Sequence, residues 1–524
     1  MTNFLSKPIA FIKAHRKIDI AFLITGLIVF ATIALFNVSS ASIWFDEAFS
    51  SYLIQFNFID IARYTAGDVH PPLFYWALKA WSMLFGTNEL GLRSMSIFFA
   101  AATIVVTFLL ARRLFGRKVA LVSLLFLVLS PMLIRYADEA RMYTMAAFIV
   151  ASATYMLVKA TEGKQKRWWV FYGILVGLGM WTHYFTAFIW LAHWAWRLWV
   201  TYSKGATFRV LWKRFFSKSW VLAHVLAVGV YLPWLYFMVK QLGIVQATGF
   251  WIGPVSLATP MNYLTNAFYY LEEHQAQSWL ALAVIIIVVL TIVLIPKVYK
   301  GFSKPEKSNF ILIASMTWVP GILLFFVSLP PLTSSFVERY LIPAIVTMTV
   351  FMAVVLVVGT KKWHPILRAL PILLIVGMMI YGTTNVYKYG NFNKNTNYHI
   401  VTRDVIDEIH KVAKPGEPII ANSPWNFYEA APYATDEHPI YFIDANTEYI
   451  YGSLDMLKYN DMHKIKDFDA FAKQHPVIWY LGQAETGDIA PYETTWKRVQ
   501  TVSYYDSLID KSLYRATQYR VNEE

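Results

Sequence analysis

AFLITGLIVFATIALF, residues 21–36, is followed seven residues later by IWFDEAFSSY, residues 43–52. With its flanks the first stretch is nearly twenty apolar residues, enough to cross about 30 Å of hydrocarbon. The second stretch places two adjacent carboxylates, Asp46 and Glu47, where that segment leaves the membrane. Lys7, Lys13, Arg16 and Lys17 precede the apolar run and VSSAS follows it, a pattern shared with secretory signal peptides. The length of the run favours an uncleaved first helix.

Composition extends this reading to the whole chain. Of 524 residues 57% are hydrophobic and 15% charged, against about 25% charged in soluble domains. Such a chain reads as a multi-pass membrane protein. Its net charge of +13 does not call for nucleic acid, because basic residues gather in the cytoplasmic loops of membrane proteins. No cysteine is present, which excludes a disulfide framework, a thiol nucleophile and a cysteine metal site. Twenty tryptophans and 32 tyrosines suit interfacial belts or sugar-stacking platforms.

Hydropathy predicts about eleven transmembrane helices, near 19–38, 95–115, 119–137, 142–160, 168–182, 184–201, 220–239, 278–296, 309–327, 340–359 and 366–386. With the N-terminus cytoplasmic, the inner segments hold 25 Lys and Arg, whereas the outer loops before the last helix hold seven. That asymmetry supports the orientation and places the C-terminus outside. Residues 387–524 carry a net charge of −6, which fits an outer tail. Within them, an amphipathic stretch precedes the strand-like PIIAN, HPIYFID and HPVIWYLG, predicting a soluble extracytoplasmic α/β domain. The expected division is thus a transmembrane domain over 1–386, with its first outer loop at 39–94, and the α/β domain over 387–524.

The polar residues near the helix ends fall on the outer side. Asp46, Glu47, Asp68 and His70 lie in the first outer loop, and RYADEARMY (135–143) supplies Asp138, Glu139 and Arg141. WTHYF carries His183, and SSFVERYLIP carries Glu338, Arg339 and Tyr340. Ionisable residues at membrane depth are functional candidates. Outer arginines can clamp a phosphate, and a nearby carboxylate can take a proton from a hydroxyl nucleophile. No GxxxxGK[ST] or strand-linked GxGxxG is present, so an outer site would draw on a membrane-borne activated donor. Each residue also has a plainer reading. Asp46 can cap a helix, Glu139 and Arg141 can pair to hold their loop, and Arg339 can pair with Glu338. Asp68 and Asp138 read as solvated acids, with Asp138 also a candidate second carboxylate of the site. His183 can be an ordinary interfacial histidine, and Tyr143 and Tyr340 can be belt residues. RRLFGRK and WKRFFSK read as topology and anionic-lipid signals.

In their order, WFDEAFS, HPPLFYW, EARMY, THYF and ERYLIPA resemble the GT-C superfamily of membrane glycosyltransferases. The similarity is to the branch of the protein O-mannosyltransferases and the lipid A aminoarabinose transferase (glycosyltransferase family 39 and relatives), over residues 1 to about 360. The resemblance implies transfer of a hexosyl or pentosyl group from a polyprenyl-phosphate donor in the bilayer, usually with inversion. The acceptor is a glycan, lipid or protein of the cell envelope. It implies Asp46 as general base or acceptor-positioning group, with Glu47 its partner. It also implies Glu139 and Arg141 as the second-loop motif, Arg141 and Arg339 near the donor phosphate, and His70 and His183 at positions of variable role. Some relatives use a divalent metal and others do not. The chain lacks the WWDYG-type signature of oligosaccharyltransferases. A polytopic lipid or sugar transporter or flippase is the alternative, and a sensor with a ligand-binding tail a third reading.

Overall fold

The computed structural model describes residues 16–36, 38–163, 165–202, 205–248, 252–270, 278–389, 401–443, 455–458, 461–483, 496–505 and 514–521. The basic residues Lys7 and Lys13 lie outside them. The chain divides into two compact units. One comprises Met1–Phe36, His70–Phe74 and Arg93–Gly390; the other comprises Asn37–Val69, Tyr75–Leu92 and Asn391–Glu524.

The first unit is helical, and each of the eleven expected spans is helix. Among the described residues eight helices are long and apolar enough to cross a membrane, which makes this a multi-pass membrane protein. A further pair, Arg117–Val128 and Pro131–Ala137, is long and apolar enough only when taken together, and its two helices meet at 53°. Proline lacks an N–H and clashes with the preceding turn, so the helix restarts at Pro131, with Ser130 accepting from the Leu133 N–H. The two other expected spans, Arg167–Thr182 and Thr186–Thr201, have 16 residues each. At 1.5 Å per residue each is about 24 Å long, short of the ~30 Å hydrocarbon core.

Burial orders these helices. Ile342–Gly359 is buried without interruption from Ile342 to Leu356, as expected of a helix apolar on every face inside a bundle. Arg16–Phe36 instead exposes Phe22, Ile24, Ile28 and Phe36. Arg167–Thr182 packs closely on Lys218–Thr248 through Gly173 and Gly177. A Cβ on Gly173 would sit 2.4 Å from the Ala223 carbonyl oxygen, and one on Gly177 2.7 Å from Val230 Cγ1. This four-residue spacing of small residues is a membrane device for close backbone approach.

The loop RRLFGRK does more than signal topology. Arg112 and Arg117 reach Asp19 at 2.7 and 2.6 Å, and Arg113 donates to Glu162. Glu306 forms a capping box with Ser303. Asp19, Glu162 and Glu306 therefore each have a structural task.

The second unit contains a six-stranded sheet, ordered β3-β2-β1-β4-β6-β5. Its strands are β1 (Ile419–Ala421), β2 (Ile440–Ile443), β3 (Lys464–Ile465), β4 (Val477–Gln483), β5 (Lys497–Ser503) and β6 (Tyr514–Arg520). The first four run parallel, and β6 joins β4 and β5 antiparallel. Ile420, Ile478, Tyr480 and Tyr519 fill one face. The amphipathic helix is Thr402–Val412, with Val405, Ile406 and Ile409 buried.

Two short helices from the first outer segment, Phe45–Leu53 and Phe58–Ala66, belong to this same unit. SPWNFYEAAPYA (423–434) forms the helix Pro424–Ala430 and a 3-10 turn. Its Phe427 and Tyr428 are buried against the first of these helices. Tyr52 lies 5.8 Å from Phe427 and 5.2 Å from Tyr428, ring centre to ring centre, and Phe45 lies 6.3 Å from Tyr428. Trp425, the third aromatic of the helix Pro424–Ala430, is exposed.

Candidate functional site

In the membrane unit, a break between two helices builds the site. Arg167–Thr182 ends at His183, whose extended backbone turns the chain before Thr186–Thr201 begins. The His183 ring centre lies 6.2 Å from that of His70, 5.8 Å from Tyr143 and 4.9 Å from Tyr340. Tyr340 also stacks on Phe185 at 4.7 Å. Tyr143 and Tyr340 are both buried; they line this cluster rather than an interfacial belt.

Two cations complete the group. Arg339 rides on the 3-10 turn Glu338–Leu341 that opens the central helix, and its guanidinium lies 5.7 Å from the centre of the Tyr143 ring. An aromatic face attracts a cation in this way. Glu338 accepts from Asn266 at 3.3 Å. Arg141 is buried, its N–H bonded to the Glu139 carbonyl at 2.7 Å, and its own carbonyl accepts from Ser96 at 3.4 Å. Burial, and after it the charges of His70, Arg141 and Arg339, hold the His183 imidazole well below its ordinary range. His183 is therefore neutral beside two arginines.

Glu139 is fully buried and pairs with Arg135 at 2.9 Å; Arg135 also donates to the Tyr270 hydroxyl at 3.0 Å. Arg135, the first residue of RYADEARMY, is not among the site residues expected from the sequence. Its spacing of four from Glu139 across a helix end was the available signal. Asp138 is half-buried at the C-terminal end of Pro131–Ala137, where its N–H bonds the Ile134 carbonyl.

The second unit carries the remaining acids. Asp46 and Glu47 occupy the first turn of Phe45–Leu53, where the helix dipole favours negative charge. Glu47 is buried and Asp46 half-buried. Asp68, expected on the loop surface, is also buried, and its charge acts on the Tyr428 phenol. Among the described residues no group of three or more His, Asp or Glu side chains is arranged to hold a metal ion.

Residues 69–237 match the family described as dolichyl-phosphate-mannose-protein mannosyltransferase. Over nearly their whole lengths, 97% of this chain and 99% of the other, the fold matches that of ArnT from Cupriavidus metallidurans in the apo state, with a TM-score of 0.60 at 13% identity. The fold is of the GT-C type. The same GT-C protein bound to undecaprenyl phosphate matches with a TM-score of 0.57 at 13% identity over the same shares of both chains. An uncharacterized protein of Aquifex aeolicus (strain VF5) is 36% identical over 102 residues, which is 19% of this chain and 20% of that relative. The match thus spans about a fifth of the curated relative's length.

Proposed function

We propose that this protein is a membrane glycosyltransferase that moves a sugar from a polyprenyl-phosphate-linked donor to an acceptor on the extracytoplasmic face. The observation that carries the reading is the gathering of Arg141 and Arg339, both buried, around His183, Tyr143 and Tyr340 in a GT-C fold. Buried arginines recognise phosphate by paired hydrogen bonds. The likeness to ArnT, whose structure binds undecaprenyl phosphate, supports a lipid phosphate as their partner.

In this reading Arg141 and Arg339 bind the donor phosphate and stabilise the charge that develops as it leaves. Neutral His183, with His70 and Tyr340, lines the sugar side of that phosphate. The Arg135–Glu139 pair braces the loop that holds Arg141. Asp46 takes the proton of an acceptor hydroxyl as its oxygen attacks the anomeric carbon. The carbon–phosphate oxygen bond breaks on the opposite face, and the configuration inverts. Glu47 supports Asp46. The acceptor is a glycan, a lipid or a protein. The charge asymmetry supports a cytoplasmic N-terminus and an outer tail.

Incubating the purified protein with a panel of polyprenyl-phosphate sugars and following donor consumption tests the assignment. Consumption of one donor, with no uptake of sugar or lipid into proteoliposomes, is expected. Uptake without transfer would replace the enzyme by a transporter.

A further inference from the structure

RRLFGRK (112–118) and WKRFFSK (212–218) look alike in sequence, but the fold uses their charges differently. The three arginines of the first are engaged inside the protein, Arg112 and Arg117 with Asp19 and Arg113 with Glu162. Around the second the sequence supplies no acid: between Glu162 and Glu272 there is no Asp or Glu. Arg209 and Lys213 are exposed, and among the described residues neither is ion-paired.

WKRFFSK closes the helix Phe208–Phe215, none of whose residues is buried. By helical spacing Phe208, Leu211, Trp212 and Phe215 fall on one side, and Arg209, Lys213 and Arg214 on the other. Phe208 and Trp212 lie 5.7 Å apart, ring centre to ring centre, and keep 76% and 54% of their surfaces exposed. Helices shorter than about 12–15 residues are marginal alone in water. This one has eight, and the protein buries none of its side chains. It is nevertheless held in place. Arg197, buried on Thr186–Thr201, donates to the Arg214 carbonyl at 2.6 Å, the Phe215 carbonyl at 3.3 Å and the Ser217 hydroxyl at 2.9 Å. A cation is favoured at such a helix end. Trp194 meets the Phe215 ring at 5.6 Å. Directly after Ser217, Lys218 opens a helix long and apolar enough to cross a membrane, so the short helix stands where that span enters the bilayer.

We propose that Phe208–Phe215 lies along the bilayer surface and binds anionic phospholipid. Its aromatic side enters the acyl boundary, and Arg209, Lys213 and Arg214 take the headgroup phosphates. Charge complementarity selects the occupant, because a basic surface in an acid-free stretch favours anionic over zwitterionic headgroups. The paired arginines of RRLFGRK take no part. The inference is independent of sugar transfer: a failed donor assay leaves it standing, and its own failure leaves the transferase reading intact.

The chain contains no cysteine, so Phe208→Cys can carry a single fluorophore on the intact protein. The labelled protein is placed in nanodiscs of phosphatidylcholine with a minor fraction of phosphatidylglycerol. Either lipid, spin-labelled near its headgroup and added at equal density, quenches the fluorophore in proportion to its local concentration. Quenching by phosphatidylglycerol is expected to exceed that by phosphatidylcholine by about fivefold, the effect of one basic side chain near an anionic surface. High salt should lower the preference. Arg209→Gln combined with Lys213→Gln should abolish it, while Lys240→Gln, toward the other end of Lys218–Thr248, should leave it unchanged. Equal quenching by the two lipids in the parent, or a preference that survives in the double variant, overturns the inference.

Should the labelled variant not fold, hydrogen exchange on the unlabelled chain decides. The peptide spanning residues 207–216 should exchange more slowly when phosphatidylglycerol is present, in the parent and not in the double variant. Exchange indifferent to the lipid overturns the inference. Protection that grows with the number of chains per disc, whatever the lipid, would give this face to a second copy and also overturns it.

Discussion

Raising the pH from 5.5 to 8.5 is expected to loosen the α/β unit, with Glu429 as the origin. Burial pushes its carboxyl from an ordinary 4.5 up to about 8, against smaller opposing effects of the Thr402 hydroxyl and the Phe45 N–H. Between those two values the folded state holds a proton that the unfolded state has released. Stability therefore declines as pH rises through this window and levels off above about 8. With 1.36 kcal/mol per pKa unit, linkage over pH 5.5 to 8.5 gives a loss of about 3 kcal/mol. Hydrogen exchange at β1 and at Thr402–Val412, corrected for the intrinsic pH dependence of exchange, reports the local opening free energy. It should fall by about that amount in the parent and change little in Glu429→Gln, which has nothing to titrate. Asp404, whose carboxyl is also raised mainly by burial, adds a smaller loss of the same sign that survives in the variant. An unchanged opening free energy in the parent, or the full loss in Glu429→Gln, would refute the reasoning.

Asp46→Asn should reduce kcat by about 10²- to 10⁴-fold, the usual contribution of a general base, with an unchanged melting profile; near-parental turnover sinks the assignment. Arg339→Ala should raise the donor KM more than the acceptor KM in initial-rate measurements, and equal donor saturation in variant and parent rejects the phosphate role. Gly173→Leu drives a side chain into backbone at 2.4 Å, so overpacking should destabilise the membrane unit by about 1–3 kcal/mol, read as a lower midpoint of thermal unfolding in detergent. Asp19→Asn leaves Arg112 and Arg117 without their shared carboxylate and should lower the same midpoint. An unchanged midpoint would show that the pairing carries no stability.

The helical half of this molecule was readable because lipid imposes a local rule. A spanning segment must satisfy its own backbone and present apolar side chains, so each expected span appears as a helix. Lengths were less readable: Arg167–Thr182 and Thr186–Thr201 stop at 16 residues because His183 turns the chain between them. Three strands of the sheet were recognisable from their apolar runs. Strand β5 exposes Lys497, Arg498 and Val499, and β3 has two residues, so neither has an apolar period to detect. The outer set of His70, Arg141, His183 and Arg339 was legible because isolated charges at helix ends are rare in such a chain. Arg135 was missed because its partners, Glu139 and Tyr270, become visible only when the helix break is built. The partnership between the acidic segment and the tail left no local trace, since Tyr52 meets Phe427 and Tyr428 from 375 and 376 residues away.

Arg403 ties together both ends of that acidic segment. Its guanidinium donates to the Ser39 and Ser40 carbonyls and to Glu89, and the Tyr433 hydroxyl donates to the same Glu89 oxygen. During synthesis, Glu89 leaves the ribosome 314 residues ahead of Arg403. At about 5–20 residues per second that is a delay of roughly 15–60 s. Throughout that interval the acidic segment is already made, and its clasp does not yet exist. A later part of the chain therefore closes an earlier one, and a chain halted after Tyr389 would keep that segment open to protease.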